Sequence, residues 1–136
     1  MDWSQLNKTV IEEFRANGGR VARFGDLPIV ILHTIGARTG NLLEVPLITI
    51  LDGDEMLLFG TAAGSPNHPS WYYNLRANPE IEIEYGTEKF ATRIVQLSEE
   101  DAHARIEAVA RTSEQLVQYL ESAAPRVIPV FSIQRI

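Results

Sequence analysis

Apolar and polar residues along this chain follow two different periods, and each period predicts one kind of element. Over residues 2–16, apolar side chains recur three and four positions apart, which predicts an amphipathic helix that Asn17, Gly18 and Gly19 end. Later, short apolar or alternating runs bounded by glycine, proline or aspartate predict strands. The predicted strands are Pro28–Ile35, Leu42–Leu51, Glu55–Phe59, Glu80–Tyr85, Glu88–Leu97 and Val127–Ile136. Tight turns such as the one at residues 52–53 join several of them, so we expect an antiparallel sheet.

Three further segments have the sequence signals of helices. Pro69 suits the first turn of a short aromatic helix, which we expect to end before Asn78 and Pro79. Ser98 followed by three acidic residues predicts the start of a second helix, and Ser113–Ala123 predicts a third. Hairpin-connected strands with helices at the start, in the middle and late in the chain predict an α+β fold built on an antiparallel β-barrel. We divide it into an N-terminal amphipathic helix, residues 1–18, and a barrel domain, residues 19–136.

The N-terminal helix allows two interpretations. Its apolar stripe, which includes Trp3 and Phe14, can dock on the barrel that the same chain forms, and we favour this interpretation. Alternatively, Trp3 and Phe14 insert into a membrane surface. The opposite face of the helix carries charges of both signs, so we expect membrane contact to be peripheral at most.

Composition narrows the possible functions. A chain of 136 residues is long enough for one domain with a core, and its net charge of −6 argues against nucleic acid as a partner. The chain has no cysteine, which excludes disulfides, thiolate metal sites and thiol nucleophiles. It shows neither an apolar run of about 20 residues nor a signal-peptide pattern. We therefore expect a cytoplasmic protein.

Two loops carry the strongest signals for a ligand. Residues 60–65 have small side chains, so a ligand can lie against their backbone N–H groups, although such loops also simply connect a strand to a helix. In residues 34–40, two glycines flank Arg38 and Thr39, and such a turn can aim backbone N–H groups and a guanidinium at a phosphate. By itself, that second pattern is more commonly a hairpin with an exposed arginine.

We find no set of side chains with the spacing of a catalytic or metal site. The three histidines, His33, His68 and His103, fall in a strand, a loop and a helix, and none has metal-ligand spacing to another. We expect His68 to brace the junction between its loop and the aromatic helix. The sequence therefore predicts a protein that holds a reactive cofactor rather than one that supplies its own nucleophile or base.

The order of several motifs resembles one known family. The segments TIGARTG, VPLITILDGDEMLLFGTAAG, SPNHPSWYYNLRANPEIEI and RVIPV follow one another as in the deazaflavin-dependent nitroreductases, which include the F-420-dependent quinone reductases. The most specific motif, H-P-x-W-Y-x-N-L-x-A-N-P, is satisfied by residues 68–79 at every position. The resemblance implies a split, FMN-binding-like β-barrel and an oxidoreductase that uses coenzyme F-420, a deazaflavin, with FMN as the less favoured option.

The resemblance also implies which residues bind the coenzyme. They form a turn for the phosphate-bearing tail (Gly36, Arg38, Thr39, Gly40), a strand beside tail and ring (Val45, Pro46, Leu47), a loop under the ring (Thr61, Ala62, Ala63, Gly64) and a helix that closes the site (Trp71, Asn74). Thr61 is the candidate for a catalytic contact, at the reacting edge of the ring, and no metal is implied. A bulky residue at Gly64 is expected to abolish coenzyme binding and to leave the fold intact.

By this resemblance the chain transfers a hydride from C5 of the reduced deazaflavin to a small-molecule electron acceptor. A quinone-like molecule is the natural acceptor, and nitroaromatics are adventitious ones. Since barrels of this size commonly pair, a homodimer is a further expectation. The alternative function is a non-enzymatic carrier or sequestering module on the same barrel, which binds a flavin, a deazaflavin or a lipid.

This chain departs from the family at cationic positions around the coenzyme tail, which favours the carrier alternative. Basic residues of the relatives are replaced here by Ala37, Leu43, Ala62 and Asn67. The candidates for compensating cations are Arg20, Arg23 and Lys89. For the wall of the acceptor pocket, where relatives carry tyrosines, the sequence offers Tyr119, with Glu114, Val117 and Leu120 as alternatives.

Overall fold

The computed structural model describes residues 3–136, which form seven strands, four α-helices and two short 3-10 turns. The strands are β1 (Ile29–Ile35), β2 (Leu42–Ile48), β3 (Ile50–Asp52), β4 (Glu55–Phe59), β5 (Glu80–Tyr85), β6 (Glu88–Gln96) and β7 (Val130–Arg135). The helices are α1 (Trp3–Ala16), α2 (Ser70–Ala77), α3 (Glu99–Ala110) and α4 (Glu114–Ala123), and the 3-10 turns cover Ala22–Phe24 and Ala62–Gly64. Asp2, the predicted first residue of the N-terminal helix, lies outside the described residues.

All seven strands belong to one antiparallel sheet in the order β2-β1-β5-β6-β7-β4-β3. The two edge strands, β2 and β3, follow each other in the chain and are separated by Thr49 alone. A sheet whose opposite edges are consecutive in the sequence has to curl, and this confirms the expected α+β split barrel. Pro46 lies on edge strand β2, where a missing N–H is tolerated.

Thr49 divides a segment that the sequence predicts as one strand. Its N–H donates to the carbonyl of Pro28 at 3.0 Å, while its hydroxyl donates to the carbonyl of Leu57 at 2.9 Å. The backbone before Thr49 pairs with β1, and the backbone after it pairs with β4. The prediction of a single strand over residues 42–51 is therefore wrong, because the chain passes from one edge of the sheet to the other at this residue.

The two faces of the sheet pack against different helices. Leu58 on β4 and Phe131 on β7 belong to the barrel interior, into which α2 inserts Trp71. The neighbouring residues Leu57 and Val130 belong to a second buried cluster, formed with α3 and α4. Because successive side chains of a strand point to opposite faces, α3 and α4 cover the outside of the barrel.

Helix α1 docks on the barrel. Its residues Val10, Ile11 and Phe14 are buried together with Ile29 and Ile31 of β1. Phe14 is only 1% exposed, so its side chain is not available to a membrane surface; the side chain of Trp3 falls outside the described part of the chain. Among residues 3–136, no helix combines the length and the apolar character needed to cross a membrane.

Candidate functional site

Two cavities lie on either side of helix α2 and share strand β2. The small cavity has a volume of about 370 Å³ and is lined mainly by apolar side chains: Leu6, Val10, Phe24, Ile29, Pro46, Leu47, Ile48, Phe59, Trp71 and Tyr119, with Asn7, Arg23, Thr61, Ala62 and Ala63. The large cavity measures about 870 Å³ and is lined by Gly36, Ala37, Arg38, Thr39, Leu43, Ser70, Tyr73, Asn74, Arg76 and Ala77. Both volumes fall in the range of small-molecule sites. Strand β2 contributes Pro46, Leu47 and Ile48 to the small cavity and Leu43 to the large one.

The backbone at residues 60–65, the 60–65 bend, presents unpaired N–H groups at the small cavity. Thr61 has right-handed helical dihedrals, whereas Ala62 and Ala63 have positive φ angles of 48° and 53°. A right-handed residue followed by a left-handed one turns successive N–H groups toward a common point, which forms a binding site for an anion or a carbonyl oxygen. Among the described residues, the N–H groups of Thr61, Ala62 and Ala63 have no acceptor.

Arg126 holds the other side of this bend. Its guanidinium donates to the carbonyls of Gly60 (2.9 Å), Thr61 (2.8 Å) and Ser65 (2.9 and 3.1 Å), and to Nδ1 of His68 (3.0 Å). All five N–H groups of the guanidinium are thereby used. Burial lowers the pKa of Arg126, and within residues 3–136 no carboxylate pairs with it. This role of Arg126 was not predicted from the sequence, although Arg126 begins the RVIPV motif, which was part of the family resemblance.

His68 connects the bend to helix α2. Arginine has no acceptor, so Nδ1 of His68 accepts from Arg126 and the imidazole proton resides on Nε2. Burial, followed by the nearby charges of Arg126 and Arg76, lowers the pKa of His68 and keeps the ring neutral. The ring also stacks on Tyr72 with the centroids 4.1 Å apart. This geometry agrees with the predicted bracing of the loop–helix junction.

The second predicted loop forms a tight turn beside the large cavity. The N–H of Gly36 donates to the carbonyl of Asn41 at 2.8 Å, and the N–H of Gly40 donates to the carbonyl of Gly36 at 2.9 Å. Asn74 on α2 accepts from the N–H of Ala37 at 2.9 Å and so fixes the turn to the helix. In the part of the chain that the structure describes, the N–H groups of residues 38 and 39 have no acceptor and remain available to a ligand.

Two arginines line the large cavity. Arg38 comes from the turn and Arg76 from α2, and neither has a carboxylate partner among residues 3–136. Arg76 stays in place through its N–H bond to the hydroxyl of Tyr72 at 2.9 Å. It occupies a variable position of the H-P-x-W-Y-x-N-L-x-A-N-P motif, and the sequence reading overlooked it. The large cavity therefore has a pair of cations suited to an anionic group.

The three cations that the sequence offers as compensation lie in different places. Arg23 lines the small cavity. Arg20 pairs with Asp26 at 3.1 Å on the surface, and Lys89 lies on β6 and lines neither cavity. Arg23 and the unpredicted Arg76 therefore line the cavities in addition to Arg38, whereas Arg126 lies behind the 60–65 bend.

The predicted coenzyme residues divide between the cavities. Pro46, Leu47, Thr61, Ala62, Ala63 and Trp71 line the small cavity, and Gly36, Arg38, Thr39 and Asn74 line the large one. Val45 packs against the barrel core, and Gly40 ends the turn with a φ of 72°.

Gly64 has a structural role that the sequence reading did not foresee. A Cβ atom at this position would lie 3.0 Å from Cβ of Ser122 and 3.3 Å from Cα of Tyr119, both on α4, and φ is 82°. The expectation that a bulky residue leaves the fold intact is wrong, because such a residue would displace α4 and strain the backbone.

The wall of the small cavity comes partly from elements that the sequence reading did not assign to the site. Helix α1 contributes Leu6, Asn7 and Val10. Of the four wall candidates from the sequence, Tyr119 lines the cavity. Leu120 instead lines a separate cleft that is formed mainly by α3 and residues 126–128, and Glu114 and Val117 are exposed.

A cluster of possible metal ligands lies outside both cavities. Ligand atoms of His33, Glu44 and Glu84 all lie within 4.8 Å of one another. Arg15 bonds to both carboxylates, and Nε2 of His33 lies 2.7 Å from Glu84. The cluster is thus an ion-pair network that ties α1 to β2 and β5, and we assign no metal to it.

Comparison with known proteins agrees with this architecture. Residues 6–134 match the family model described as F420H(2)-dependent quinone reductase. The F420H(2)-dependent quinone reductase Rv1261c of Mycobacterium tuberculosis is 32% identical over 126 residues, which cover 90% of this chain and 85% of that protein.

Two solved structures have similar folds. The F420-H2 dependent reductase FDR-A superposes with a TM-score of 0.66 at 28% identity, over 79% of this chain and 94% of that one. A chain described as a domain-swapped dimer superposes with a TM-score of 0.69 at 27% identity, over 98% of both chains. From the barrel, the two cavities along β2 and these matches, we conclude that the chain belongs to the F420H(2)-dependent quinone reductase family.

Proposed function

We propose that this chain reduces a quinone-like acceptor with coenzyme F-420, and that it holds the deazaflavin ring in the small cavity and the anionic tail in the large one. When bound, the reduced coenzyme supplies a hydride from C5 of its ring. Membership of the family confirms the expected class, an F-420-dependent oxidoreductase with F-420 as its coenzyme. The assignment of individual residues is our proposal.

The observation that carries the proposal is the pairing of two unlike cavities along one strand. The small cavity is mostly apolar and has three free N–H groups, which suits a flat ring with carbonyl oxygens at its edge. The large cavity has Arg38, Arg76 and two free N–H groups, which suit a phosphate or carboxylate. The residues present therefore fit both halves of the coenzyme, and Arg76 supplies one cation that the argument for the carrier alternative did not count.

The protein's part in the reaction is to orient and to exclude water. Leu6, Val10, Phe24 and Trp71 make the small cavity apolar, which keeps water from the reacting atoms. Thr61 lies at the cavity wall, and we assign its hydroxyl to the reacting edge of the ring. Tyr119 faces the same cavity, and among the described residues its hydroxyl has no partner. We assign it to the acceptor, where the O–H can donate to a quinone oxygen that gains negative charge.

A titration and a turnover assay test the proposal. We expect oxidised F-420 to bind at micromolar concentration, more tightly than FMN, as measured by fluorescence. Reduced F-420 should be consumed only when menadione is added. Binding of F-420 without turnover would support the carrier alternative, and a preference for FMN or indifference to both ligands would refute the coenzyme assignment.

We also propose that the chain forms a homodimer. One structural relative is described as a domain-swapped dimer, and this chain exposes Leu43 and Tyr73 together at the large cavity. Large exposed apolar side chains that lie together are a common feature of protein interfaces. Light scattering on the eluted protein should give about twice the monomer mass of 15.2 kDa. A mass equal to the monomer at all concentrations would contradict the dimer.

A further inference from the structure

We infer that Arg126 is a positioning residue, which fixes the 60–65 bend in the one conformation that presents its free N–H groups to the coenzyme. The inference rests on the proposed function, because it assigns the small cavity to the deazaflavin ring. Arg126 itself does not line that cavity, and its five N–H groups are all used within the protein. It can therefore act on the ligand only through the backbone of the bend.

The peptide geometry shows how this action works. Arg126 binds the carbonyl oxygens of Gly60 and Thr61 at 2.9 and 2.8 Å. In a trans peptide the carbonyl and the following N–H point in opposite directions. The N–H groups of Thr61 and Ala62 therefore point away from the guanidinium, and both residues line the small cavity. Binding the carbonyls on one side of the bend thus orients the donors on the other side.

The backbone of the bend needs such support. Ala62 and Ala63 have φ angles of 48° and 53°, a left-handed conformation that alanine rarely adopts because its Cβ crowds the backbone. Consecutive alanines in this region persist only when the surroundings hold them. The bend closes on itself through the N–H of Gly64, which donates to the carbonyl of Thr61, and the N–H of Ser65, which donates to the carbonyl of Ala62. Arg126 adds a side-chain clamp, because it binds the carbonyls of Thr61 and Ser65 on either side of the alanine pair.

The charge of Arg126 adds to the geometric effect. Its guanidinium is half-buried, and no carboxylate within residues 3–136 neutralises it. A cation bound to a carbonyl polarises the peptide and strengthens the hydrogen bond that the attached N–H donates. The bend therefore favours a ligand oxygen that carries partial or full negative charge.

The test uses Arg126→Ala and a small molecule that replaces the lost group. We expect this variant to bind oxidised F-420 at least tenfold more weakly than the wild type. Guanidinium ion at low millimolar concentration should restore most of the affinity, whereas the same concentration of potassium should not. Rescue is diagnostic because guanidinium would weaken, not strengthen, a protein that had merely lost stability. Arg111→Ala, which removes an equal charge at the end of α3, should bind like the wild type.

A second measurement does not depend on the coenzyme. Backbone chemical shifts of Ala62 and Ala63 report their φ angles in the ligand-free protein, and we expect left-handed values to be lost in Arg126→Ala and regained with guanidinium. Left-handed shifts that persist in the folded variant would overturn the inference, even if the wild type binds F-420. If the wild type does not bind F-420, the proposed function fails while these shifts still decide the role of Arg126.

A conservative variant covers the case in which Arg126→Ala does not fold. Arg126→Lys keeps the charge, but an ammonium has three donors on one atom and cannot bind the carbonyls of Gly60, Thr61 and Ser65 with the spread of a guanidinium. We expect weaker F-420 binding, by threefold or more, together with altered shifts of Ala62 and Ala63. Affinity and shifts both equal to those of the wild type would refute the positioning role.

Discussion

The two arginines of the large cavity allow a quantitative test of where the coenzyme tail binds. Arg38 and Arg76 both open on this cavity, both are exposed to solvent, and neither has a carboxylate partner in the described part of the chain. Replacing either by alanine removes one cation without breaking an ion pair. We therefore expect the main effect in coenzyme binding. Arg38→Ala should leave stability nearly unchanged, and Arg76→Ala should cost about 1 kcal/mol for its hydrogen bond to Tyr72.

The expected magnitude follows from exposure. A charge-assisted hydrogen bond is worth about 1.5–3 kcal/mol when shielded from water, but solvent-exposed ion pairs give about 1 kcal/mol or less. Taking about 1 kcal/mol for each exposed arginine predicts a dissociation constant about fivefold larger for Arg38→Ala or Arg76→Ala. If the two arginines bind different groups of the tail, the double variant should lose about 25-fold.

Fluorescence titration with oxidised F-420 measures these changes, and two controls sharpen it. A coenzyme fragment that lacks the anionic tail should bind all variants equally, because it does not reach the large cavity. Arg111→Ala carries the same change in net charge but lines neither cavity, so its affinity should stay at the wild-type value. Raising the salt concentration should weaken the wild type more than the double variant, since salt screens the exposed charges.

Two results would refute the reasoning. The arginine variants could weaken binding of the tail-less fragment as much as binding of the whole coenzyme. In that case the arginines act on the ring or on the fold rather than on the tail. If Arg111→Ala weakens binding as much as Arg76→Ala, only the overall charge of the protein matters. In either case the tail does not occupy the large cavity as proposed.

Three further predictions concern packing, the acceptor and pH. Phe14→Ala should lower the free energy of unfolding in urea by about 3–5 kcal/mol, because it empties the contact between α1 and β1; a loss below about 1 kcal/mol would mean that α1 is not firmly docked. Tyr119→Phe should lower kcat/KM for a quinone about fivefold, the cost of one neutral hydrogen bond, without changing the affinity for F-420. If kcat/KM and the affinity for F-420 fall by the same factor, Tyr119 contacts the coenzyme and not the acceptor. The pKa of Glu84 is lowered by its hydrogen bond to Arg15 and, to a smaller extent, by His33. Its carboxylate therefore stabilises the fold above the ordinary pKa of 4.5, and this stabilisation is lost as the pH falls through the lower, folded-state value. Glu84→Gln should accordingly be less stable than the wild type at neutral pH, and the difference should shrink in acid. Glu82→Gln, on an exposed position of the same strand, should show little difference at any pH.

Local patterns in the sequence were sufficient for most of the elements. The helix of residues 3–16, strand β4 and the helix capped by Ser98 form where the sequence predicts them. The hairpin turn lies at residues 53–54, one position later than predicted, and Ser113 caps α4 instead of lying inside it. These features depend on periodicity and on contacts between residues a few positions apart, so they can be read from one chain. The division into residues 1–18 and 19–136 and the cytoplasmic location stay predictions.

The family motifs also located both loops of the site, because each loop is a short continuous segment. Residues 36–39 line the large cavity and residues 61–63 the small one, in part as expected. The prediction that a bulky residue at Gly64 leaves the fold intact was wrong, because the neighbours of Gly64 in space, Ser122 and Tyr119, are far away in the sequence. Small side chains in a loop allow either a ligand or a helix to approach its backbone closely, and the sequence pattern does not distinguish the two cases.

Only the tertiary structure decided what surrounds these loops. Arg126 binds a carbonyl 66 positions earlier in the chain. Arg76 lines the same cavity as Arg38 because Asn74 on α2 binds the turn that carries Arg38. The chain leaves β1 and begins to pair with β4 at Thr49, because it crosses there from one edge of the sheet to the other. The apolar pattern of residues 42–51 continues across Thr49 and does not reveal this change of partner. A sequence determines which residues can form helices, strands and turns through interactions of near neighbours. Which charges and N–H groups finally face one cavity depends on contacts between distant segments, and these exist only after the sheet has curled and its helices have packed.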